Sequence, residues 1–322
     1  MKEVVIGIDI GGTFTKMGIV DREGNMYAEG SIPSDKTPSI DDFIMELHAA
    51  VEKMKAGLKE ELSILGIGIG APNSNYYKGT IEDAANLKWK GVIPFAEKVT
   101  KVFRLPSVLT NDANAAALGE MIFGGAKGMK NFIVITLGTG LGSGIVVNGD
   151  VVYGNDGFAG ELGHTIVKPN GRECGCGMRG CLETYVSAPG IKRTVFELFA
   201  DSNAKSDMRN YTFDQLNATM ISKAAREGDP IALRAFEITG AILGAKLADV
   251  IAITSPEAIF FFGGLAKAGE LLFEHVRKNL EPNLLFIFRN KVKLLPSGLT
   301  DKNTAVMGAS ALIWKEMDKK PC

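Results

Sequence analysis

The sequence predicts an α/β protein with mixed sheets, built on two copies of one core. Three observations carry this. Strand-like and helix-like segments alternate along the chain, as in layered α/β architectures. The order strand, glycine turn, strand, strand, helices runs once from residue 4 and starts again at residue 132. Each copy opens on the same kind of turn, Gly11-Gly12-Thr13 in the first and Gly138-Thr139-Gly140 in the second. A repeat at this spacing is a duplication of the fold, not a short-period array.

In the first copy, residues 4–10, 16–20 and 26–30 read as strands. Residues 41–59 carry Phe43, Ile44, Leu47, Val51 and Met54 at helical spacing. Residues 65–70 alternate apolar residues with glycine, as a buried strand beneath a site would. Residues 92–103 read as a helix, 107–109 as a short strand, and the alanine-rich 112–123 as a helix. In the second copy, 132–137 is a strand, 138–144 a glycine turn, and 145–147 and 151–153 are strands. A glycine-rich segment then runs to residue 181. Helices follow near 189–199, 213–227 and 231–253, then a strand at 258–262, a helix at 267–280 and a strand at 291–295. A helix over 304–317 closes the chain. Gly124, Gly125 and Gly128 interrupt the chain between the copies, which sets the lobes at residues 1–123 and 124–300.

The 322 residues suffice for one large or two ordinary domains. With 46% hydrophobic and 23% charged residues, the chain has the make-up of a soluble protein with a full core. Lys and Arg total 36 against 37 Asp and Glu, a formal net charge of -1. Nucleic-acid affinity rests largely on an excess of positive charge, so no nucleic-acid partner is expected. No uncharged stretch approaches the ~20 apolar residues of a membrane span. The apolar run after Glu3 is cut short by Asp9 and two glycines, unlike a secretory leader. Three of the four cysteines fall within residues 174–181, and the fourth is Cys322. A tight cluster beside a histidine points to metal in a reducing compartment, so a cytoplasmic setting is expected.

Two turns have the chemistry to hold phosphate. The first reads Asp9-Ile10-Gly11-Gly12-Thr13-Phe14-Thr15-Lys16, the second Leu137-Gly138-Thr139-Gly140-Leu141-Gly142-Ser143-Gly144. Glycine lets the backbone approach an anion, and a tight turn aims several N–H groups inward. Thr13 adds a hydroxyl, and Asp9 is suited to hydrated Mg²⁺. Either turn alone also reads as a plain β-hairpin. Neither matches the dinucleotide fingerprint or the Walker spacing. As a pair in duplicated halves they could clamp a nucleotide's phosphates from two sides.

Asp112 stands where a strand gives way to a helix, in Leu109-Thr110-Asn111-Asp112-Ala113-Asn114. One reading is an ordinary N-cap. The other is a carboxylate at a carboxyl strand end, where α/β proteins keep their sites, ionised by the helix N-terminus and able to take the proton of an attacking hydroxyl. His164, Cys174, Cys176 and Cys181 give the spacing H-x9-C-x-C-x4-C. Three thiols and an imidazole suit a closed tetrahedral Zn²⁺ site of the structural kind; the alternative is reduced, unliganded thiols in a loop. His48 and His275 read as surface or packing residues, and Cys322 as a tail thiol.

Together these residues resemble the ROK family of sugar kinases and sugar-responsive repressors, within the actin-like ATPase superfamily. The likeness runs essentially end to end. Residues 9–16 resemble the family's first phosphate motif. Gly140-Leu-Gly-Ser-Gly144-Ile145 with Gly154 and Gly160-Glu-Leu-Gly-His164 resembles its signature. Cys174-Gly-Cys176-Gly-Met-Arg-Gly-Cys181-Leu-Glu183 looks like its zinc motif, and Phe262-Gly-Gly-Leu265 like its adenosine-side motif. The resemblance implies a two-lobed actin-like, ribonuclease H-like fold with a duplicated βββαβα core. The final helix, within residues 301–322, would pack back on the first lobe. ATP, Mg²⁺ and structural Zn²⁺ would be the cofactors. Asp112 would be the general base that deprotonates the sugar's 6-hydroxyl. Asn86, Asn111, Glu161, His164 and Glu183 would bind the other hydroxyls, His164 giving its second ring nitrogen to zinc. Asp9, Gly11, Gly12, Thr13, Lys16, Gly138, Thr139 and Gly140 would serve the phosphates, and Gly263 and Gly264 would approach the nucleotide. A homodimer or tetramer is implied as well.

The signature segments, Asn86-Leu87-Lys88-Trp89 among them, look most like the glucokinase branch, so transfer of the γ-phosphate of ATP to glucose is the first expectation. An N-acetylhexosamine kinase, for N-acetylmannosamine or N-acetylglucosamine, and a fructokinase are alternatives. Where the family usually shows Pro-Gly, this chain has Pro72-Asn73, and the loop over 74–81 with its two tyrosines is also unlike the common pattern. A repressor of the family would need a DNA-reading helix-turn-helix ahead of the first phosphate motif, and the nucleotide lobe begins at Val4. A sugar-independent actin-like ATPase would have no use for the zinc cluster or Glu161. A kinase is the expected class.

Overall fold

The computed structural model describes residues 1–299 and 303–319. The first half opens with β1 (Lys2–Ile10), β2 (Phe14–Asp21) and β3 (Met26–Pro33), an antiparallel meander. Then come α1 (Ile40–Ala56), β4 (Leu62–Gly70) and three short strands, β5 (Ser74–Asn75), β6 (Thr80–Glu82) and β7 (Val92–Ile93), which form a small sheet of their own. After α2 (Phe95–Phe103), β8 (Ser107–Thr110) completes a five-stranded sheet in the order β3-β2-β1-β4-β8, and α3 (Asp112–Ile122) leaves it. The second half repeats the plan with β9 (Phe132–Leu137), β10 (Leu141–Val147) and β11 (Asp150–Val151). There follow α4 (Ala188–Asp201), α5 (Ala218–Arg226), α6 (Pro230–Thr254), β12 (Ala258–Phe262), α7 (Glu270–Leu280) and β13 (Lys293–Pro296). Its sheet order, β11-β10-β9-β12-β13, is the first order over again, with the first two pairs antiparallel and the last two parallel in both sheets. The α/β class and the duplicated core expected from the sequence are both present.

β1 reads as an unbroken apolar run because both of its faces are covered. Phe43, Ile44, Leu47 and Val51 of α1 are buried in the core formed with Ile6, Ile8 and Ile69. Phe43 and Leu47, fully buried, contribute about 2 kcal/mol each by removal from water. Ser39 starts α1, its hydroxyl accepting from the Asp41 and Asp42 amides at 3.2 and 3.4 Å. Asp41 and Asp42 in the first turn and Lys53 and Lys55 in the last complement the helix dipole. The opposite face takes α8 (Thr304–Asp318). That approach is so close that a Cβ on Gly68 would lie 1.8 Å from the Ala309 carbonyl oxygen. Of the segment 301–322, positions 301, 302 and 320–322, Cys322 included, lie outside the described residues.

α3 is buried on every side from Ala113 to Glu120, which explains its alanines: it packs against α8 and also against β9 and β10 of the second sheet. A Cβ on Gly144 would meet the Ala113 carbonyl oxygen at 2.5 Å. That contact revises the second glycine turn. Only residues 138–140 turn; Gly142 and Gly144 already pair with Thr136 and Val134 in β10, where their lack of a side chain admits α3.

Three helices begin later than their periodicity suggests. Residues 92 and 93 form β7 because Pro94 favours extended backbone at Ile93 and then opens α2. α5 starts only at Ala218, where the Asn217 side chain accepts from the Met220 amide at 3.0 Å. Gly269, at φ 65°, separates a short 3₁₀ turn at Ala266–Ala268 from α7. Among the described residues no helix is long and apolar enough to cross a membrane.

Candidate active site

The carboxyl ends of β1, β4 and β8 lie side by side, since Asp9 pairs with Gly70 and Gly70 with Thr110. The chain passes from β8 directly into α3, which sets Asn111 and Asp112 at that edge. In the second sheet β9 ends at Leu137 and the parallel β12 at Phe262, so the 138–140 turn and Gly263 open at a common end. Between these ends is a cleft of about 460 Å³. Asp9, Gly11, Gly12, Asn86, Asn111, Asp112, Gly138, Thr139, Gly140, Glu161, His164, Glu183 and Gly263 line it, all of them singled out in the sequence. Lys16 lines an adjoining cavity of about 360 Å³ with Lys267 and, again, Gly263. Thr13 and Gly264 line neither. Pro72, Asn73, Thr136 and Ala305 also line the cleft. Of these, only Pro72 and Asn73 carried a sequence signal, as the departure from the family pattern.

At the head of α3 the N-cap is Asn111, whose Oδ1 accepts the Ala113 amide at 2.8 Å. Asp112 Oδ1 shares that amide at 2.8 Å. Asp112 is reached by solvent from the cleft, yet protein surrounds it deeply enough that lost hydration raises its pKa above the ordinary carboxylate range, with its helix-end amide bonds pulling the other way. Asp9 is pushed up to about 6, first by burial and then by the charge of Asp112, with Lys16 opposing. Glu161 is also raised, chiefly by burial, with His164 opposing. Three acids shifted the same way in one cleft are the electrostatic mark of a functional site, and an acid poised toward neutrality is suited to proton transfer.

Glu161 immediately precedes the 3₁₀ turn Leu162–His164, and Glu183 sits inside the 3₁₀ turn Leu182–Thr184. Glu183 Oε2 accepts the Leu141 amide at 3.4 Å, and its Oε1 lies 3.0 Å from Cys174 Sγ and 3.8 Å from His164 Nδ1. The ligand atoms of His164, Cys174, Cys176 and Cys181 all lie within 4.8 Å of one another. Cys176 and Cys181 Sγ are 3.7 Å apart, as are Cys174 Sγ and His164 Nδ1. Bonds of ~2.3 Å in a tetrahedron set neighbouring ligands about 3.8 Å apart. Donor set and spacing therefore both fit Zn²⁺, and Glu183 joins that cluster to the cleft.

The unusual loop after Asn73 crosses to the second half. Asn75 Nδ2 donates to the Asp156 carbonyl at 2.8 Å and Tyr77 Oη to the Gly154 carbonyl at 2.9 Å. Tyr76 and Tyr153 stack at 4.0 Å with their planes 4° apart. Tyr76 Oη also donates to Glu316 of α8 at 2.7 Å.

Known proteins agree with this architecture. The ROK family model matches residues 5–316. A glucokinase of Streptomyces coelicolor is 37% identical over 281 residues, covering 86% of each chain. A xylose repressor of Caldicellulosiruptor bescii is 30% identical over 319 residues, which cover 97% of this chain and 78% of that one. Among solved structures, a ROK glucokinase of Streptomyces griseus in complex with glucose and AMPPNP superposes with a TM-score of 0.80 at 34% identity, covering 96% of this chain and 98% of the other. By the reach of the family model and these similarities, the chain belongs to the ROK family.

Proposed function

We propose that the chain is an ATP-dependent hexose kinase, with glucose as the first acceptor. The observation that carries this is the setting of Asp112: a carboxylate in the cleft between two glycine turns, with Asn86, Asn111, Glu161, His164 and Glu183 on the same lining. A cluster of short polar groups suits a polyol, because an epimer would leave buried groups unpaired. The related Streptomyces griseus structure, with glucose and AMPPNP bound, supports the same pairing of ligands.

In this reading Asp112 takes the proton of the sugar 6-hydroxyl, and that oxygen bonds to the γ-phosphorus as the bond to the bridging oxygen breaks and ADP leaves. Backbone N–H groups of both glycine turns would serve the phosphates, with Lys16 at the first and Gly263 on the nucleoside side, and Thr13 and Gly264 beside them. Mg²⁺, when bound with the nucleotide, neutralises phosphate charge, and Asp9 is the acid suited to its hydration shell. His164, Cys174, Cys176 and Cys181 would hold a structural Zn²⁺ that fixes His164 and Glu183 in place. Residues 1–123 with the last helix and residues 124–300 would act as two lobes whose closure excludes water. We take the protein to be a cytoplasmic homo-oligomer.

A coupled ADP assay over glucose, mannose, fructose, allose and both N-acetylhexosamines tests this: Mg²⁺-dependent ADP release should follow at least one sugar. Likeness to family regulators, including one that superposes with a TM-score of 0.86 at 26% identity, favours a second reading as a sugar-responsive regulator. Absence of sugar-dependent release from every acceptor would sink the kinase and leave that reading.

A further inference from the structure

Arg172 precedes the first metal-site cysteine by two residues and is buried, 8% exposed. A guanidinium has five N–H donors in a rigid fork, and here every one is used. Nε donates to Glu197 Oε1 at 2.8 Å, and Nη2 to Glu197 Oε2 at 2.6 Å and Thr194 Oγ1 at 2.9 Å. Nη1 donates to the main-chain carbonyls of Thr184 at 2.7 Å and Gly190 at 3.0 Å. The fork lies 4.4 Å from the Tyr185 ring, and the Arg172 amide donates to Tyr185 Oη at 3.0 Å. Two of these partners, Thr184 and Tyr185, directly follow Glu183. The turn that carries Glu183 starts from Cys181, whose carbonyl accepts the Thr184 hydroxyl at 2.7 Å. One side chain thus grips the cysteine loop and the Glu183 turn at once.

We propose that Arg172 is a positioning residue for the sugar site: it holds the Thr184 carbonyl and the Tyr185 side chain, so that Glu183 meets the cleft while Cys181 meets the metal. This rests on the kinase reading for its sugar arm alone. It acts through backbone carbonyls, so charge without the fork cannot replace it. Lys at 172 presents one compact ammonium and cannot span Thr184, Gly190, Thr194 and Glu197 together. Glu197 is more than half exposed and does not touch the turn, so losing its charge alone leaves the carbonyl contacts in place.

The test compares the parent with Arg172→Lys and Glu197→Gln. It measures KM for sugar and for ATP, kcat, the rate of zinc loss to a chelator, and hydrogen exchange of amides 182–186. Arg172→Lys should raise the sugar KM and speed zinc loss, each about 10- to 100-fold, as expected for groups that orient a site's ligands. ATP KM and kcat should stay within about threefold of the parent, the pattern of lost ground-state positioning. Glu197→Gln should weaken the fold but move the sugar KM by less than about threefold. If Arg172→Lys does not fold, Tyr185→Phe, which deletes only the hydroxyl that accepts the Arg172 amide, should move the sugar KM and the exchange in the same direction. Sugar KM and exchange at parent values, or sugar and ATP KM rising together, would overturn the assignment. A parent inactive on every hexose defeats the kinase reading only. Zinc retention and exchange then decide the role of Arg172, and exchange alone decides it if the parent carries no zinc.

Discussion

Asp9→Asn separates the electrostatics of the cleft from its chemistry. The Asp9 carboxyl, ordinarily near 3.8, is pushed up to about 6 in the folded chain by burial and by Asp112. The folded state therefore holds the Asp9 proton more tightly than the unfolded state does. That contribution to stability is complete below pH 3.8 and is lost as pH rises through about 6. Integrated between about pH 4.5 and about pH 7.5, the loss in the parent is about 2 kcal/mol. The variant, neutral throughout, loses none of it. Relative to the parent it should gain about 2 kcal/mol over that interval, or ~3 °C in Tm for a chain of this length. Asp112 and Glu161 are raised as well, so both proteins share part of the slope, and the difference between their melting curves reports Asp9 together with its coupling to Asp112. Calorimetric scans of the ligand-free proteins at the two pH values supply the numbers. A gap that stays constant with pH, or a variant that loses ground toward neutrality, would mean that burial does not hold the Asp9 proton in the folded chain.

Two further outcomes follow from the site and the loop beside it. Cys176→Ser should lower bound zinc from one per chain to well under that, read by elemental analysis, because three donors hold Zn²⁺ far less well than four. Asn75 is fully buried and donates to the Asp156 carbonyl while its Oδ1 accepts the Tyr77 and Lys78 amides at 3.1 and 3.2 Å. Asn75→Ala should cost about 1–3 kcal/mol in denaturant unfolding through those orphaned groups. A cost near zero would mean that the loop's crossing to residues 154–156 does not hold the two halves together.

Local signals carried much of this molecule. The apolar run of β1, the spacing of Phe43, Leu47 and Val51, and the alanines of α3 were legible because burial on one or both faces imposes a period. The meeting of Asp9, the glycine turns and Asp112 in one cleft was legible because the same pattern locates the strand ends that border it, and the cysteine cluster because its spacing is short. Helix starts were less so: Pro94, Asn217 and Gly269 each delay a helix inside a stretch whose apolar spacing looks continuous. The second glycine run read wholly as a turn because nothing local tells a turning glycine from one cleared for a helix that packs on it. Arg172 and the tyrosine loop were hidden for a different reason. Their partners lie 12 to 25 residues away for Arg172 and 77 or more for Tyr77 and Asn75, so only the folded chain brings them together.

The role of Asp112 is tested most directly by Asp112→Asn, with ADP release and glucose affinity measured on the same preparation. With Asp112 as the base, kcat should fall by about 10²- to 10⁴-fold, the usual worth of a general base, while calorimetric glucose affinity stays within a few-fold of the parent. Turnover kept at the parent's level would contradict that role.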